Sequence, residues 1–385
     1  ERKSIINWFY RESFDIKHVD IIAMRQPGTG EWFFRRPEFQ GWVQKNSNSP
    51  ILWGYGIPGA GKTFLCSVVI DHFQERKRTA NYGLAYMYFD YREQEQQGPY
   101  QVLASLVKQL LFQLIPLPPP VDELYKRLEP HGKRPSLDEL YSILKVSFTE
   151  FDQVFLIFDA LDECDQKRQR KALLPLFHRL AQSGTHIFIT SRQHPEDIRD
   201  SMSASASIEL SPSIEDMRLF IEQRIEENVR ARRIVKQGKC KDLIINELIQ
   251  SAQGMFLLLH FHIELICEET NVRLMCRALQ SLRDSSNEER PLNPTYDRAM
   301  TIIKNQGKGS TAIAMKILSW LVEARRTLSV DELREAIAVE NNRYELDEYD
   351  WTDKATMLDV CAGLIMIDEK SNVIRFVHYT VQEYL

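Results

Sequence analysis

The sequence has few cysteines, no closely spaced cysteine pair and no long apolar run. Its six cysteines are scattered over 385 residues without a C-x-x-C pair, which argues against a zinc site or a disulfide framework. Thiols used in this way are typical of a reduced, cytosolic protein. The longest candidate for a membrane helix, 255–267, is interrupted by His260, His262 and Glu264 and falls short of the ~18 residues that a bilayer requires.

The sequence also lacks a large excess of one charge and an internal repeat. The net charge is −5 with a pI near 6.1, so bulk electrostatics do not favour nucleic acid as a partner. The composition, 43% hydrophobic and 27% charged, is ordinary for a globular protein, and the length predicts about two to four domains. The chain starts at Glu1 and stops within the apolar pattern 381–385, so we expect a piece of a longer protein.

A glycine-rich loop is the most informative feature. Residues 56–63 read G-I-P-G-A-G-K-T and fit the phosphate-binding motif G-x-x-x-x-G-K-[ST]. The apolar residues before it predict a strand and those after it a helix, which is the context that the motif requires. Glycines let backbone N–H groups close around phosphate oxygens, and the helix start adds further donors. The predicted nucleotide-binding residues are Gly56, Pro58, Gly59, Ala60, Gly61, Lys62, Thr63 and Phe64.

Within this loop, Lys62 is expected to reach the β- and γ-phosphates and the Thr63 hydroxyl to bind Mg²⁺. A second landmark is the apolar strand 154–158, which ends in Asp159. Ligands bind at the carboxyl edge of parallel sheets, so Asp159 is predicted to hold Mg²⁺, and Asp162 and Glu163 to orient the attacking water. A solvated acidic turn is the alternative. The motif does not read the base, so ATP and GTP both stay open.

A further apolar strand, 185–191, ends in hydroxyl residues and Arg192. Arg192 is predicted to sense the γ-phosphate, and a surface arginine is the alternative. Alternating strands and helices over 51–210 predict an α/β fold with a parallel, doubly wound sheet. Asp90 ends another strand and either caps a turn or lies near the metal. In the lead-in segment, Trp32 and Trp42 either pack onto the next domain or lie over the base.

The remainder of the chain is predicted to be mostly helical. Residues 226–241 are rich in Arg and Lys, which favours a solvated helix face or loop, and 283–294 is predicted to be a loop. A helix that begins at Met357 and ends in a strand by Ile367, followed by a hairpin turn at 368–372, suggests a winged helix. Its lack of basic charge favours protein packing over DNA binding. Helix starts are predicted at Ser136, Ser213 and Ser329. The predicted domains are a lead-in (1–50), a nucleotide-binding domain (51–211), a small helical domain (212–290) and a winged-helix domain (291–385).

Together these motifs resemble a known family. The matching stretches are 28–32, 56–63, 158–164, 189–192, 253–256 and 376–385. With them the chain resembles the NACHT subfamily of STAND signal-transduction NTPases, and is similar to fungal NACHT proteins that carry ankyrin or WD40 repeats. The resemblance implies that His378 contacts the β-phosphate at rest and that nucleotide state changes the domain arrangement. The proline of the G-x-P motif in the related helical domain is not evident near Gly254.

The resulting hypothesis is a signalling switch that binds and slowly hydrolyses ATP or GTP with Mg²⁺, passing to ADP or GDP. Its expected partners are the nucleotide, further copies of itself on activation, and effector and repeat domains outside this stretch. Nucleic acid and membrane are not expected as partners. Two alternatives stay open, an AAA+-like or winged-helix DNA-associated ATPase and a nucleotide-binding scaffold without turnover.

Overall fold

The chain forms two units, each with its own hydrophobic core. The structure, a computed structural model, describes all residues except 14, 45–48, 78, 92, 94–96, 194–195, 239, 286–291 and 340–350. The first unit comprises residues 1–57 and 62–210, and the second comprises residues 58–61 and 211–385.

A five-stranded parallel sheet is the centre of the first unit. Its strands are β1 (Ile51–Tyr55), β2 (Tyr82–Tyr88), β3 (Gln153–Asp159), β4 (His186–Ser191) and β5 (Ala206–Glu209). They pair in the order β2-β3-β4-β1-β5. The strands are continuous apolar runs because helices cover both faces, so successive residues such as Phe155 and Leu156 enter different cores. The predicted parallel, doubly wound α/β sheet is confirmed.

Nine helices among the described residues surround this sheet: α1 (Arg2–Phe9), α2 (Ile16–Met24), α3 (Pro37–Val43), α4 (Lys62–Arg76), α5 (Pro99–Gln113), α6 (Pro119–Leu128), α7 (Leu137–Phe148), α8 (Lys171–Gln182) and α9 (Glu196–Ser201). Helix α7 begins with the predicted capping box, because Ser136 and Glu139 each accept the other's backbone N–H. Helix α6 begins inside a proline run and was not predicted from the sequence. Prolines are tolerated there because the first N–H groups of a helix have no intrahelical partner.

Trp42 resolves one of the open alternatives. Its side chain is fully buried against Phe73, Phe155 and Phe188, and its Nε1 donates to the carbonyl of Pro50 at 2.9 Å. The residue therefore anchors the lead-in segment to the sheet, as the packing interpretation predicted. Trp32 is partly buried against the same cluster.

Strand β2 is an edge strand, and glutamine side chains of α5 occupy its outward backbone groups. The amide of Gln109 accepts from Tyr86 N at 2.9 Å and donates to Tyr86 O at 2.8 Å. Gln113 makes the same pair of bonds with Leu84, at 3.1 and 2.6 Å. The spacing of the two glutamines along the helix matches that of Leu84 and Tyr86 along the strand, since four residues of helix rise about 6 Å and two residues of strand about 6.7 Å.

We expect Gln109→Ala to lower the free energy of unfolding of this protein by about 2–3 kcal/mol, because the buried N–H and C=O of Tyr86 would both lose their partners. Urea denaturation measures the change. Gln101→Ala, in the first turns of the same helix, is the matched control and should be close to neutral. Equal effects of the two substitutions would contradict the role given to Gln109.

The second unit contains ten helices and three strands among the described residues. Its helices are α10 (Ile214–Glu227), α11 (Val229–Gly238), α12 (Lys241–Ser251), α13 (Phe256–Glu268), α14 (Val272–Ser285), α15 (Asn293–Asn305), α16 (Lys308–Glu323), α17 (Val330–Ala338), α18 (Lys354–Val360) and α19 (Tyr379–Tyr384). The strands β6 (Leu328–Ser329), β7 (Ile365–Asp368) and β8 (Val373–Phe376) form an antiparallel sheet in the order β6-β8-β7. Ser213 and Ser329 cap α10 and α17 as predicted.

The predicted hairpin at 368–372 is confirmed, because β7 pairs with β8 around it. The predicted helix from Met357 that ends in a strand by Ile367 is confirmed: α18 ends at Val360, and the positive φ angles of Ala362 and Gly363 (47° and 75°) turn the chain into β7. The predicted loop 283–294 is too long, since α14 reaches Ser285 and α15 starts at Asn293, while 286–291 lie outside the described residues. Most of the basic stretch forms α11, and Lys239 lies outside the described residues. The division of the chain into four domains stays a prediction.

Across the part of the chain that the structure describes, no helix combines the length and the apolar character needed to cross a membrane.

Candidate nucleotide-binding site

The glycine-rich loop connects β1 to α4, and α4 begins at Lys62. Gly59 and Gly61 have φ angles of +72° and +87°, a conformation that favours glycine over residues with a Cβ. The start of the loop is held by the sheet, because Gly56 N donates to Ser191 O at 3.2 Å. A Cβ on Gly56 would lie 2.4 Å from the carbonyl oxygen of Leu210, the residue after β5, so the backbone passes too close there for any larger residue. The loop therefore needs its glycines for the path that the motif predicts.

Lys62 lies across the opening of the loop. Its Nζ donates to the carbonyl oxygens of Gly56 and Ile57, both at 3.0 Å. Burial lowers the pKa of Lys62, and the carboxylates of Asp162 and Asp159 oppose that shift. The ammonium group therefore binds neutral carbonyl oxygens close to the two carboxylates. A phosphate would offer it a stronger, charged acceptor.

Asp159 is the centre of a hydroxyl network at the carboxyl edge of the sheet. Its Oδ2 accepts from Thr63 Oγ1 at 2.7 Å, and its Oδ1 accepts from Thr190 Oγ1 at 2.6 Å. Thr190 Oγ1 in turn accepts from Ala160 N at 3.0 Å, which fixes the direction of the chain of hydrogen bonds. Asp159 is only 2% exposed, so this buried carboxylate depends on the two hydroxyls for its solvation. The sequence indicates a hydroxyl at Thr190 at the end of a strand, but not its contact with Asp159.

These groups fit a magnesium ion. The Thr63 hydroxyl and the Asp159 carboxylate are hard oxygen donors that already meet at 2.7 Å. The described residues contain no cluster of three or more His, Cys, Asp or Glu side chains that would hold a metal by itself. Magnesium at this position would therefore take its remaining ligands from water and phosphate oxygens, as is usual for this ion.

Past Asp159 the chain makes a sharp acidic turn. Ala160 has a φ of 55°, and residues 161–163 form a short 3-10 helix. Asp162 Oδ1 accepts from the backbone N–H of Arg192 at 3.1 Å, and Asp162 Oδ2 lies 3.0 Å from Arg192 Nε. The structure therefore brings these two predicted site residues together. The catalytic roles assigned to them stay predictions.

Glu163 lies on the other side of the turn. Its Oε2 accepts from Tyr91 N at 3.3 Å. Burial raises the pKa of Glu163 to about 8, with the carboxylates of Asp90 and Asp162 adding to the shift and Lys17 opposing it. The side chain of Asp90 pairs with Lys17 at 3.2 Å, so a carboxylate that was expected to cap a turn or approach the metal is bound to the lead-in helix α2.

The raised pKa predicts that Glu163→Gln changes stability in a pH-dependent way. Below about pH 4.5 the carboxyl is protonated in the folded and unfolded chains alike and costs nothing. As the pH rises toward 8, the unfolded chain ionises while the folded chain keeps the proton, which lowers the free energy of unfolding by up to about 1.4 kcal/mol per pH unit. Glutamine does not titrate, so the variant should gain stability relative to the wild type between pH 5 and pH 8. Urea denaturation at pH 5 and pH 8 measures this gain. If the free energies of unfolding of the variant and the wild type differ by the same amount at both pH values, the buried environment of Glu163 is contradicted.

Phe64, Ala60 and His378 are also among the predicted nucleotide-binding residues. Phe64 is 38% exposed in the first turn of α4, and Ala60 is buried in the loop. His378 belongs to the second unit, where it caps α19. Its Nδ1 accepts from Thr380 N at 3.3 Å, which places the proton of the neutral ring on Nε2.

Comparisons with known proteins found matches to two protein families and to a curated relative. Residues 28–192 match the family described as nephrocystin 3, N-terminal, and residues 300–385 match the winged-helix domain of GPI inositol-deacylase. The chain is 23% identical over 375 residues to the vegetative incompatibility protein HET-E-1 of Podospora anserina, a match that covers 92% of this chain. The chain spans 26% of the length of that relative.

Three solved structures show weaker overall similarity. The ORC2 protein of Aeropyrum pernix in its ADPNP–ADP complexes has a TM-score of 0.43 at 13% identity, covering 95% of this chain and 96% of its own. ORC1 of the same organism, solved with DNA, has a TM-score of 0.43 at 15% identity and coverages of 95% and 94%. AMPPCP-bound DnaA from Aquifex aeolicus has a TM-score of 0.35 at 14% identity, covering 82% and 86%.

The family matches and the fungal relative therefore agree with what the fold and the loop indicate. A phosphate-binding loop, a buried acid at the end of β3 and a winged helix follow one another in a single chain. The chain is therefore similar to NACHT-type P-loop NTPases, as the resemblance of its motifs predicted.

Proposed function

We propose that this chain is a nucleotide-dependent signalling switch, which binds and slowly hydrolyses ATP or GTP with Mg²⁺. The observation that carries the proposal is the hydrogen bond from Thr63 Oγ1 to Asp159 Oδ2 beside the loop-bound ammonium of Lys62. A loop hydroxyl, a buried strand-end acid and a loop lysine are the groups that P-loop NTPases use to position phosphates and their metal.

The roles follow from the chemistry of each side chain. Lys62 would bind the β- and γ-phosphate oxygens in place of its own loop carbonyls, and Thr63 and Asp159 would hold Mg²⁺. A bound magnesium ion neutralises charge that develops on the phosphate oxygens. Glu163 would orient the attacking water and accept its proton, and Asp162 would hold Arg192 ready to contact the γ-phosphate. A base whose pKa lies near 8 is largely protonated at pH 7, which supports slow turnover.

The switch itself would involve the second unit. His378, with its proton on Nε2, is suited to donate to a β-phosphate oxygen, which would tie the winged helix to the resting, diphosphate-bound state. Loss of that contact when a nucleoside triphosphate replaces the diphosphate would allow the domains to rearrange and a larger receptor to self-associate. Effector and repeat domains beyond this stretch would supply input and output, in a cytoplasmic setting that the six free thiols favour.

The first experiment is to denature the purified protein and identify the released nucleotide by chromatography. Stoichiometric ADP or GDP would support the resting switch and identify the base. A protein that releases nothing and takes up neither Mg²⁺-ATP nor Mg²⁺-GTP would contradict it.

A scaffold that binds nucleotide without turnover is the second candidate. The ion pair of Arg192 with Asp162 favours it, because the carboxylate neutralises part of the positive charge that Arg192 would bring to a phosphate. Phosphate release from the wild-type protein distinguishes the two, since only the switch would produce it.

A further inference from the structure

Arg170 is a buried arginine just beyond the acidic turn. It is 8% exposed, and the hydrogen-bond partners of its guanidinium described below lie outside the phosphate-binding loop. Its Nη1 donates to the carbonyl oxygens of Asp162 and Cys164, both at 3.0 Å. These two carbonyls flank Glu163, so a single guanidinium nitrogen bridges the backbone on both sides of that residue.

The other edge of the same guanidinium binds a carboxylate. Nε donates to Asp197 Oδ2 at 2.8 Å, and Nη2 donates to Asp197 Oδ1 at 3.3 Å. This two-point geometry is specific to arginine, because lysine offers one point charge and cannot bind a carboxylate and two carbonyls in the same plane.

The contacts of Arg170 and Arg192 close a ring around the turn. Arg192 follows β4, and the side chain of Asp162 binds it. Arg170 binds Asp197 of α9 and also the backbone carbonyl of Asp162. Arg192 and Asp197 are therefore both connected to the turn that carries Glu163. Movement of either predicted catalytic group would strain the contacts of the other.

We propose that Arg170 is a positioning residue for nucleotide hydrolysis, which acts with Asp197 to hold Glu163 and Arg192 in fixed relation. This inference rests on the proposed function, since it requires that the site turns over nucleotide. Arg170 touches no reacting group. Its effect should appear in kcat rather than in nucleotide affinity, because the contacts that it fixes lie away from Lys62 and Thr63.

The test compares Arg170→Lys, Arg170→Met and Asp197→Asn with Arg199→Met, an exposed arginine of α9 that serves as the matched control. Phosphate release from the preferred nucleoside triphosphate gives kcat and KM, a binding titration gives Kd, and thermal denaturation reports folding. We expect Arg170→Lys and Arg170→Met to lower kcat by about 10- to 100-fold with Kd changed less than about threefold. Asp197→Asn keeps an acceptor for Arg170 and should lower kcat less, and the control should match the wild type.

Wild-type kcat in Arg170→Lys would overturn the inference while leaving the proposed function intact. Parallel losses of kcat, affinity and melting temperature would overturn it too, since they indicate a merely structural role. If Arg170→Met does not fold, Arg170→Lys and Asp197→Asn decide the question. Absence of turnover in the wild type would overturn the hydrolytic part of the proposed function, and this inference with it.

Discussion

Lys62→Ala is expected to weaken binding of Mg²⁺-ATP or Mg²⁺-GTP by at least about 100-fold, because it removes two or more charge-assisted hydrogen bonds worth about 1.5–3 kcal/mol each. The structure supports a local effect. Lys62 Nζ contacts only loop carbonyls among the hydrogen bonds of the described residues, so its removal frees acceptors that face the loop rather than the core. Titration with a fluorescent nucleotide measures the loss.

Lys145→Ala is the matched control for this substitution. Lys145 is an exposed lysine of α7 in the same unit and should bind nucleotide as the wild type does. Tight binding by Lys62→Ala would show that the nucleotide occupies a different site. Equal losses in the two variants would show that net charge, and not the loop, controls affinity.

Glu163→Gln is expected to bind nucleotide normally and to lower kcat by about 100- to 1,000-fold, the range typical of a lost general base. Glutamine keeps an oxygen that can accept the Tyr91 N–H, so the turn should keep its shape. It cannot accept a proton from water. Phosphate release under single-turnover conditions separates this chemical defect from product release.

The wild type supplies a second test of the same role. Because the folded carboxyl has a pKa of about 8, the ionised and active fraction of Glu163 should rise with pH, and kcat should rise from pH 7 to pH 9. Glu123→Gln, on the exposed surface of α6, should leave both kcat and its pH profile unchanged. A flat wild-type profile together with normal turnover in Glu163→Gln would remove Glu163 from the mechanism.

The parts of the site that lie close together in sequence were predictable. Residues 56–63 carry their own evidence, because the motif, the strand before it and the helix after it are contiguous. Asp159 was predictable because an apolar run that ends in an acid is a local pattern. The sheet followed from the same logic, since five apolar runs alternate with helical segments.

The supporting residues were not predictable, because their roles depend on distant neighbours. Thr190 reaches Asp159 only through the pairing of β3 with β4, and 31 positions separate them. Arg170 lies in a run of charged and polar residues that is typical of a solvated surface, and the packing of α9 gives it a charged partner, Asp197. A signal was present for Gln109 and Gln113, since amides four residues apart interrupt an otherwise apolar helix face.

The glutamines of α5 have a consequence for how copies of this chain can assemble. An edge strand with open N–H and C=O groups invites another strand to extend the sheet, which is a common route to both oligomers and aggregates. On β2 those groups at Leu84 and Tyr86 are already taken by Gln113 and Gln109. Sheets of neighbouring chains are thereby kept from pairing along this edge at Leu84 and Tyr86, so any assembly on the β2 side would have to form through helices and loops.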